Sequence, residues 1–271
     1  MKTDSLPVEL RYWPIKRYMD TYRKSLDDIE EFWEQEARKL EWFSTWDRVL
    51  DWDIPFAKWF PGGMLNACYL CVDKHLKTWR RNKVAIYWVG ENDEKRTLSY
   101  SQLYTEVNKL AAALIEMGVK DGDRVAFYLP MIPEMIIAML ATARIGAIHT
   151  VVFSGFSAQA LAERINHTES KVVITADGGF RRGKVINLKE IVDEAVENSP
   201  SVEKVIVVKR TGHKIEMKKG RDLWYHEAVK HIEEAVPPLP VESNHPLFIL
   251  YTSGTTGKPK GIVHGTGGYL V

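Results

Sequence analysis

From about Lys83 onward, short apolar runs alternate with longer segments of helical periodicity. The runs are rich in Val and Ile, which favour strands, and they cover residues 84–89, 124–129, 147–152, 171–177, 203–209 and 247–252. Segments that repeat apolar residues every three to four positions predict helices over 99–118, 133–146, 157–168 and 187–198. Because the strands are apolar almost throughout, the pattern predicts a layered α/β domain with a buried, mostly parallel sheet.

Capping residues support the helix boundaries. Ser99 stands at the N-cap position of the first of these helices, and Gly118 stands at its C-terminal end. Pro133 falls in the first turn of the next helix, where its missing N–H is tolerated, and Gly146 follows that helix. The charged segment 210–229 is interpreted as a surface excursion before a last helix and the final strand.

The first eighty or so residues follow a different pattern and hold most of the nine tryptophans. Ser25 and Asp28 resemble a capping box, and apolar residues recur at helical spacing from Ile29 onward. The segment after this helix is aromatic, interrupted by Pro and Gly, and without strand alternation. We interpret 1–82 as an N-terminal cap that packs aromatic side chains onto a larger domain, 83–271. A separate ligand-binding module is the alternative.

Composition and charge exclude several classes of protein. The 271 residues include 37 Lys and Arg against 36 Asp and Glu, so the net charge is +1 and does not indicate a nucleic-acid surface. No apolar run approaches the roughly 18 residues of a membrane span. The first ten residues lack the apolar core of a signal peptide, so we expect a cytoplasmic protein that binds neither membrane nor nucleic acid.

The two cysteines, Cys68 and Cys71, are spaced as C-x-x-C. They lie in an apolar stretch that looks helical, and the one histidine of this segment is His75. We interpret them as two small buried side chains, since free Cys is usually buried. A redox or metal function is the alternative.

A loop of hydroxyl, glycine and lysine residues follows the strand at 247–252. Its glycines let the backbone turn tightly and expose consecutive N–H groups, which attract an anion. Hydroxyl donors and lysines add to this attraction, so the combination suits a polyphosphate better than a single carboxylate. The candidate phosphate-binding residues are Thr252, Ser253, Gly254, Thr255, Thr256, Gly257 and Lys258.

Two other interpretations of this loop are weaker. A Walker A loop requires Ser or Thr after its lysine to hold magnesium, and here Pro259 follows Lys258. Gly254 and Gly257 also lie too close together for that motif. A purely structural hairpin turn would not need this density of hydroxyls. The position after a buried strand, where α/β sheets bind ligands, also favours a phosphate site.

The stretch YTSGTTGKPKG, which begins at Tyr251, resembles the phosphate-loop signature of adenylate-forming enzymes: acyl-CoA synthetases, luciferases and adenylation domains of peptide synthetases. The continuation IVHGTGGYLV is similar to AMP-forming acetyl-CoA synthetases in particular. Three further stretches resemble that subfamily, namely WFPGGMLNACYLCVDKHL, VVFSGFSAQALAERI and VITADGGFRRGKVINLKEIVDEAV. The resemblance covers essentially the whole chain and implies the N-terminal part of the adenylate-forming fold.

This resemblance implies a two-step reaction. ATP and acetate give acetyl-adenylate and pyrophosphate, and the thiol of coenzyme A then displaces AMP. ATP, Mg²⁺ and coenzyme A are therefore the expected cofactors. The loop hydroxyls and glycine amides, with the Lys258 ammonium, would neutralise the charge that develops on the β and γ phosphates.

For coenzyme A, the resemblance points to Phe153, Gly155, Arg181 and Lys184. Arginine offers a planar fork and lysine a point charge, so this pair suits the 3′-phosphate end of the cofactor. The family often has Gly where Ser154 stands and Arg where Lys184 stands, and the lysine would weaken a bidentate phosphate contact. A solvated turn is the alternative for the basic pair.

In the resembling family, the acid pocket, the adenine and ribose contacts, the magnesium-binding Glu and the catalytic Lys all come later in the chain. No catalytic residue is therefore assigned within 1–271. We expect the chain to be the N-terminal part of an acetate-activating ligase and to be inactive alone. A stand-alone protein that binds nucleotide or coenzyme A, or regulates a partner, is the alternative; a ligase for another short acid, such as propionate, is a further one.

Overall fold

The computed structural model describes residues 15–252 and 259–271. Its helices are α1 (Ile15–Asp27), α2 (Ile29–Ala37), a π-helical segment (Tyr69–Asp73), α3 (Lys74–Leu76), a 3-10 helix (Trp79–Asn82), α4 (Tyr100–Glu116), α5 (Pro133–Arg144), α6 (Ala158–Thr168), α7 (Leu188–Glu197), α8 (Tyr225–Ala228) and α9 (Thr266–Leu270). Its strands are β1 (Leu50–Asp53), β2 (Phe56–Trp59), β3 (Met64–Leu65), β4 (Val84–Val89), β5 (Lys95–Ser99), β6 (Arg124–Tyr128), β7 (Ile148–Val151), β8 (Val172–Ala176), β9 (Gly179–Arg181), β10 (Lys184–Ile186), β11 (Lys204–Val208), β12 (Asp222–Trp224), β13 (Val241–Glu242), β14 (Pro246–Thr252) and β15 (Lys260–Gly265).

Within these ranges the main sheet has seven strands in the order β12-β11-β8-β6-β7-β14-β15. Every neighbouring pair is parallel except β14 and β15. The prediction of a layered α/β fold with a mostly parallel sheet is therefore confirmed. The physical reason is visible in β8, where all five residues are buried because helices cover both faces.

The starts of α4 and α5 follow the predicted capping chemistry. The Ser99 hydroxyl accepts the N–H of Gln102, and the Gln102 side chain accepts the N–H of Ser99, which completes a capping box at the start of α4. Pro133 occupies the first turn of α5. Ser157 caps α6 by accepting the N–H of Ala160. These helices therefore start where side chains satisfy the free backbone N–H groups.

The predicted strand at 84–89 forms, but it lies outside the main sheet. β4 pairs antiparallel with β5 as a separate two-stranded sheet. Tyr87 and Val89 are exposed, so this run is apolar without being buried on both faces. An apolar run alone does not separate a buried central strand from a half-exposed hairpin.

The N-terminal region contradicts two sequence-based expectations. Ser25 is not a cap: it lies inside α1, and its hydroxyl donates to the carbonyl of Tyr22. Asp28 caps α2 instead, since its carboxylate accepts the N–H of Glu31 at 3.0 Å. The segment after α2 also contains strands, because β1 and β2 form an antiparallel hairpin.

Aromatic side chains gather behind this hairpin around the buried Ala37, Val49 and Phe60. Hydrogen bonds join the region to the rest of the chain: the Asn244 amide bonds to both backbone groups of Trp59. The nearly buried Arg144 of α5 also forms a bidentate ion pair with Asp73, at 2.8 and 2.9 Å. Tryptophan packing and buried polar bonds thus fix the N-terminal region against the sheet.

The two cysteines differ in their surroundings. Cys68 is buried beside the Arg144 guanidinium, 3.3 Å away, and burial raises the pKa of its thiol to about 12. Cys71 is exposed, so the prediction that both are buried is wrong. Cys71 lies in the π-helical segment, whose wider turn rotates residues three positions apart further from each other than an α-helix does.

In the part of the chain that the structure describes, no helix is both long and apolar enough to cross a membrane.

Candidate functional site

A cavity of about 290 Å³ lies at the carboxyl edge of the main sheet. The strand order reverses here, because the chain runs from β6 to β7 on one side and then crosses to β8 on the other. Ligands of open α/β sheets bind at such a reversal. The cavity wall comes from three neighbouring strand ends: Pro130 follows β6, Phe153 follows β7 and Arg181 ends β9, just after β8.

Three of the predicted coenzyme A residues meet at this cavity. The Arg181 guanidinium lies 5.6 Å from the centre of the Phe153 ring, a cation–π contact on an exposed ring. Gly155 lies against both: a Cβ there would come within 2.5 Å of the Phe153 ring and 2.8 Å of Arg181. A side chain at 155 would therefore displace the ring or the guanidinium from its present position.

Lys184, the fourth, faces Arg181 across the β9–β10 hairpin, in which the two residues are direct partners. Both residues of the turn have left-handed backbones, with φ of 52° at Arg182 and 72° at Gly183. This is the two-residue turn that suits the twist of a hairpin. The Gly183 N–H donates to Glu91 at 2.9 Å and thereby holds the basic hairpin against the β4–β5 loop.

The opposite wall contains residues that the sequence analysis missed. The Arg210 guanidinium lies 5.1 Å from the Trp88 ring and 4.8 Å from the Phe180 ring. It also pairs with Glu94 at 2.8 Å, and this hydrogen bond lowers the pKa of Glu94. Trp88 and Arg210 lie more than a hundred residues apart in the chain, so no local motif could have linked them.

The Asp177 carboxylate holds the backbone at this edge of the sheet. It is fully buried after β8, and its carboxylate accepts backbone N–H groups of Gly178, Arg210, Thr211 and Gly212. Burial raises its pKa, but the four donors together outweigh burial, so the pKa lies below its ordinary value. An aspartate directly after a buried strand and before two glycines was the available sequence signal. Asp177 thus positions the segment that carries Arg210.

The predicted phosphate loop is only partly within the described residues. Thr252 is the exposed last residue of β14 and pairs with Lys260 of β15. The residues between the two strands that were assigned to phosphate, Ser253, Gly254, Thr255, Thr256, Gly257 and Lys258, lie outside the described residues. β14 and β7 are parallel neighbours in the sheet, so Thr252, which ends β14, and Phe153, which follows β7, lie at the same edge.

The arrangement suits a ligand that combines a flat ring with negative charge. Ring faces from Trp88, Phe153 and Phe180 offer stacking surfaces, and two guanidinium groups offer paired donors for phosphate oxygens. The volume is small for a ligand site, which fits one heterocycle better than a whole cofactor. Among the described residues, no group of three or more His, Cys, Asp or Glu side chains could hold a metal, so no Mg²⁺ site is assigned to them.

Comparison with known proteins gives two family matches. Residues 72–271 match the AMP-binding enzyme family, and residues 18–71 match the acetyl-coenzyme A synthetase N-terminus. The chain is 56% identical to acetyl-coenzyme A synthetase of Pyrobaculum arsenaticum, a match over 96% of this chain and 41% of that protein. It is 52% identical to acetyl-coenzyme A synthetase of Methanothrix thermoacetophila, over 97% of this chain and 38% of that one.

A solved structure, acetoacetyl-CoA synthetase from Streptomyces lividans, is similar with a TM-score of 0.84 and 33% identity. The match covers 92% of this chain and 38% of that one. The chain thus spans about two-fifths of the length of the relatives it matches. On these matches, over both segments and with this fold, the chain belongs to the AMP-binding enzyme family and carries the acetyl-coenzyme A synthetase N-terminus.

Proposed function

We propose that this chain forms the N-terminal part of an AMP-forming acetate–CoA ligase. The observation that carries the proposal is the succession of the two matches, the acetyl-coenzyme A synthetase N-terminus directly followed by the AMP-binding family. ATP and acetate would give acetyl-adenylate and pyrophosphate, and coenzyme A would then take the acetyl group. This activity and these substrates are proposed for a protein of the relatives' full length, of which this chain spans about two-fifths.

In the first step, the loop that follows β14 would hold the departing pyrophosphate. Acetate is a poor electrophile because its charge resists attack and oxide leaves badly, and adenylation removes both obstacles. Thr252 and Ser253, with the other hydroxyls, the glycine amides and the Lys258 ammonium of the loop, would donate to phosphate oxygens as charge develops there. Mg²⁺ would neutralise further phosphate charge when bound.

In the second step, the cavity at the reversal of strand order would hold the nucleotide end of coenzyme A. Phe153 offers an exposed ring face, and Gly155 leaves room for the contact between Phe153 and Arg181. Arg181 and Lys184 are cross-strand partners whose charges would meet the 3′-phosphate.

We also keep the division into a cap, 1–82, and the first part of the AMP-binding domain, 83–271. The cytoplasmic location, and the expectation of no nucleic-acid or membrane partner, stay predictions from composition. Acetate is proposed on the names of the relatives, and the acetoacetyl-CoA synthetase of similar fold makes another short acid the natural alternative.

The test uses a chimaera in which residues 1–271 are followed by the remainder of the Pyrobaculum arsenaticum relative. Acetate-dependent exchange between ATP and pyrophosphate reports the first step, and thioester formation reports the second. Arg181→Ala should raise the Michaelis constant for coenzyme A about tenfold to a hundredfold, since a charge-assisted contact is worth about 1.5–3 kcal/mol. Exchange should be unchanged, because adenylation precedes thiol binding.

Arg182→Asn is the matched control. Arg182 is the next residue, has a left-handed backbone that Asn tolerates, and does not line the cavity. It should leave both steps unchanged. Equal losses of exchange and thioester formation in Arg181→Ala would assign this residue a structural role instead. An unmodified chimaera that adenylates propionate faster than acetate would replace acetate by the alternative acid.

A further inference from the structure

Arg164 of α6 is a nearly buried cation that has no role in the two proposed reaction steps. Only 8% of the residue is exposed. Its guanidinium lies 4.9 Å from the centre of the Phe156 ring and 5.2 Å from the centre of the Tyr251 ring. One Nη donates to the carbonyl of Ala160, one turn earlier in its own helix.

Burying a guanidinium normally requires an anion beside it, because the cost of removing the charge from water is several kcal/mol. Among the described residues, no carboxylate forms an ion pair with Arg164, whereas the similarly buried Arg144 has Asp73. The negative faces of two aromatic rings are the partners that Arg164 has instead. One guanidinium thus contacts both the Phe156 ring and the Tyr251 ring.

Those two rings belong to the two halves of the proposed site. Phe156 packs edge-on against Phe153 at 5.8 Å, and Phe153 in turn contacts Arg181 at the coenzyme A cavity. Tyr251 is the penultimate residue of β14, directly before Thr252 and the phosphate loop. A continuous series of ring and cation contacts therefore runs from the cavity to the strand that leads into the loop.

One hydrogen bond holds the backbone of Phe156, and another holds the side chain of Tyr251. The Tyr128 hydroxyl donates to the carbonyl of Phe156 at 2.6 Å, and the Tyr251 hydroxyl bonds to His167 of α6 at 2.9 Å. Each side of the contact is thus attached to a rigid element, β6 or α6. The Arg164 guanidinium is the side-chain group that contacts both rings.

We propose that Arg164 is a positioning residue that aligns the coenzyme A turn, through Phe156, with the phosphate-loop strand, through Tyr251. This inference rests on the proposed function. Its consequence is that a change at Arg164 affects both half-reactions, although Arg164 lines neither the cavity nor the described end of the loop. A change at either ring affects one half-reaction only.

The experiment measures both half-reactions in the chimaera. Arg164→Met, which keeps length and removes charge, should raise the Michaelis constant for coenzyme A and lower the efficiency of ATP–pyrophosphate exchange, each about tenfold. Phe156→Leu should change only the Michaelis constant for coenzyme A. Tyr251→Leu should change only the efficiency of ATP–pyrophosphate exchange. Arg164→Lys should recover one of the two quantities, because a compact ammonium cannot face both rings as a guanidinium does.

Arg124→Met is the matched control, since Arg124 lies at the amino edge of the same sheet, where it bonds to the Thr168 carbonyl. It should lower the thermal midpoint without changing either kinetic quantity. If Arg164→Met or Arg164→Lys loses stability in the same way and keeps both quantities within twofold, the inference is wrong. A change confined to one half-reaction in both Arg164 variants would also overturn it.

Failure of the proposed function would look different. The unmodified chimaera would then show no acetate-dependent exchange. In that case the Arg164 inference is tested by calorimetric titration of the same variants with coenzyme A and with ATP. Weaker binding of both ligands in Arg164→Met would support it, and unchanged binding of both would contradict it.

Discussion

His149 is a buried histidine with aromatic neighbours. Its ring stacks on Phe127 and lies against Phe248, with both ring centres 5.5 Å away. Its Nδ1 has no hydrogen-bond partner among the described residues. Burial lowers its pKa to about 4, because a charged imidazole between two phenyl rings would lose its hydration.

This gives a prediction for the pH dependence of stability. Below about pH 6.5 the unfolded chain protonates His149 while the folded chain does not, so the free energy of unfolding falls as the pH falls towards 4. His149→Phe keeps a ring in place but cannot be protonated. Between pH 7 and pH 5 its free energy of unfolding should therefore fall by about 2 kcal/mol less than that of the unmodified protein. Urea unfolding at both pH values measures the difference. Equal losses in the two proteins would mean that His149 is protonated in the folded state.

The sequence indicates a binding role for some residues at the cavity but not for others. Arg181 follows a buried strand in a basic turn, and the resemblance of that turn to a known motif is enough to indicate a role in binding. Arg210 stands in a charged segment without a motif, and only the adjacency of β8 and β11 brings it to the same cavity. Contacts between distant strand ends depend on the sheet order, which local patterns do not contain.

Helix starts can be predicted where residues three positions apart satisfy a cap, as at Ser99 and Gln102, whereas the predicted cap at Ser25 is wrong. Ser99→Ala should lower the free energy of unfolding by about 1 kcal/mol, because it removes the acceptor for the Gln102 N–H. Ser101→Ala, within the first turn of α4, is the matched control and should change it by less than about 0.5 kcal/mol. Chemical denaturation midpoints compare the two. A similar loss in both would show that the capping box does not contribute to stability.

For strands, the apolar pattern predicts where each one lies but not which strands pair with each other. β6, β8 and β11 were identified as buried strands, and the structure places them side by side. β4 has a similar apolar composition but pairs with β5 in a separate hairpin, where part of it is exposed. The pattern of apolar residues specifies that a strand forms; the connections to its neighbours decide which sheet it joins.

At the scale of the whole molecule, the described parts of both proposed binding regions lie at one edge of one sheet. Phe153 follows β7 and Thr252 ends the adjacent strand β14, so the sheet order explains why residues about a hundred positions apart would serve one reaction. At the β14–β15 side of the sheet, Leu250, Ile262 and Val263 are exposed apolar side chains. In the chimaera, we expect the added length of the relative to cover this side.

The last prediction concerns the chain as a unit. A polypeptide of residues 1–271 corresponds to about two-fifths of the relatives, and the resemblance assigns the acid pocket and the catalytic Lys to the later part. With ATP, Mg²⁺ and acetate, this polypeptide alone should therefore show no acetate-dependent pyrophosphate exchange above background, whereas the chimaera should. Circular dichroism and a cooperative thermal transition would first verify that the shorter polypeptide is folded. Clear acetate-dependent exchange by the shorter polypeptide would show that the described edge of the sheet already contains a complete adenylation site.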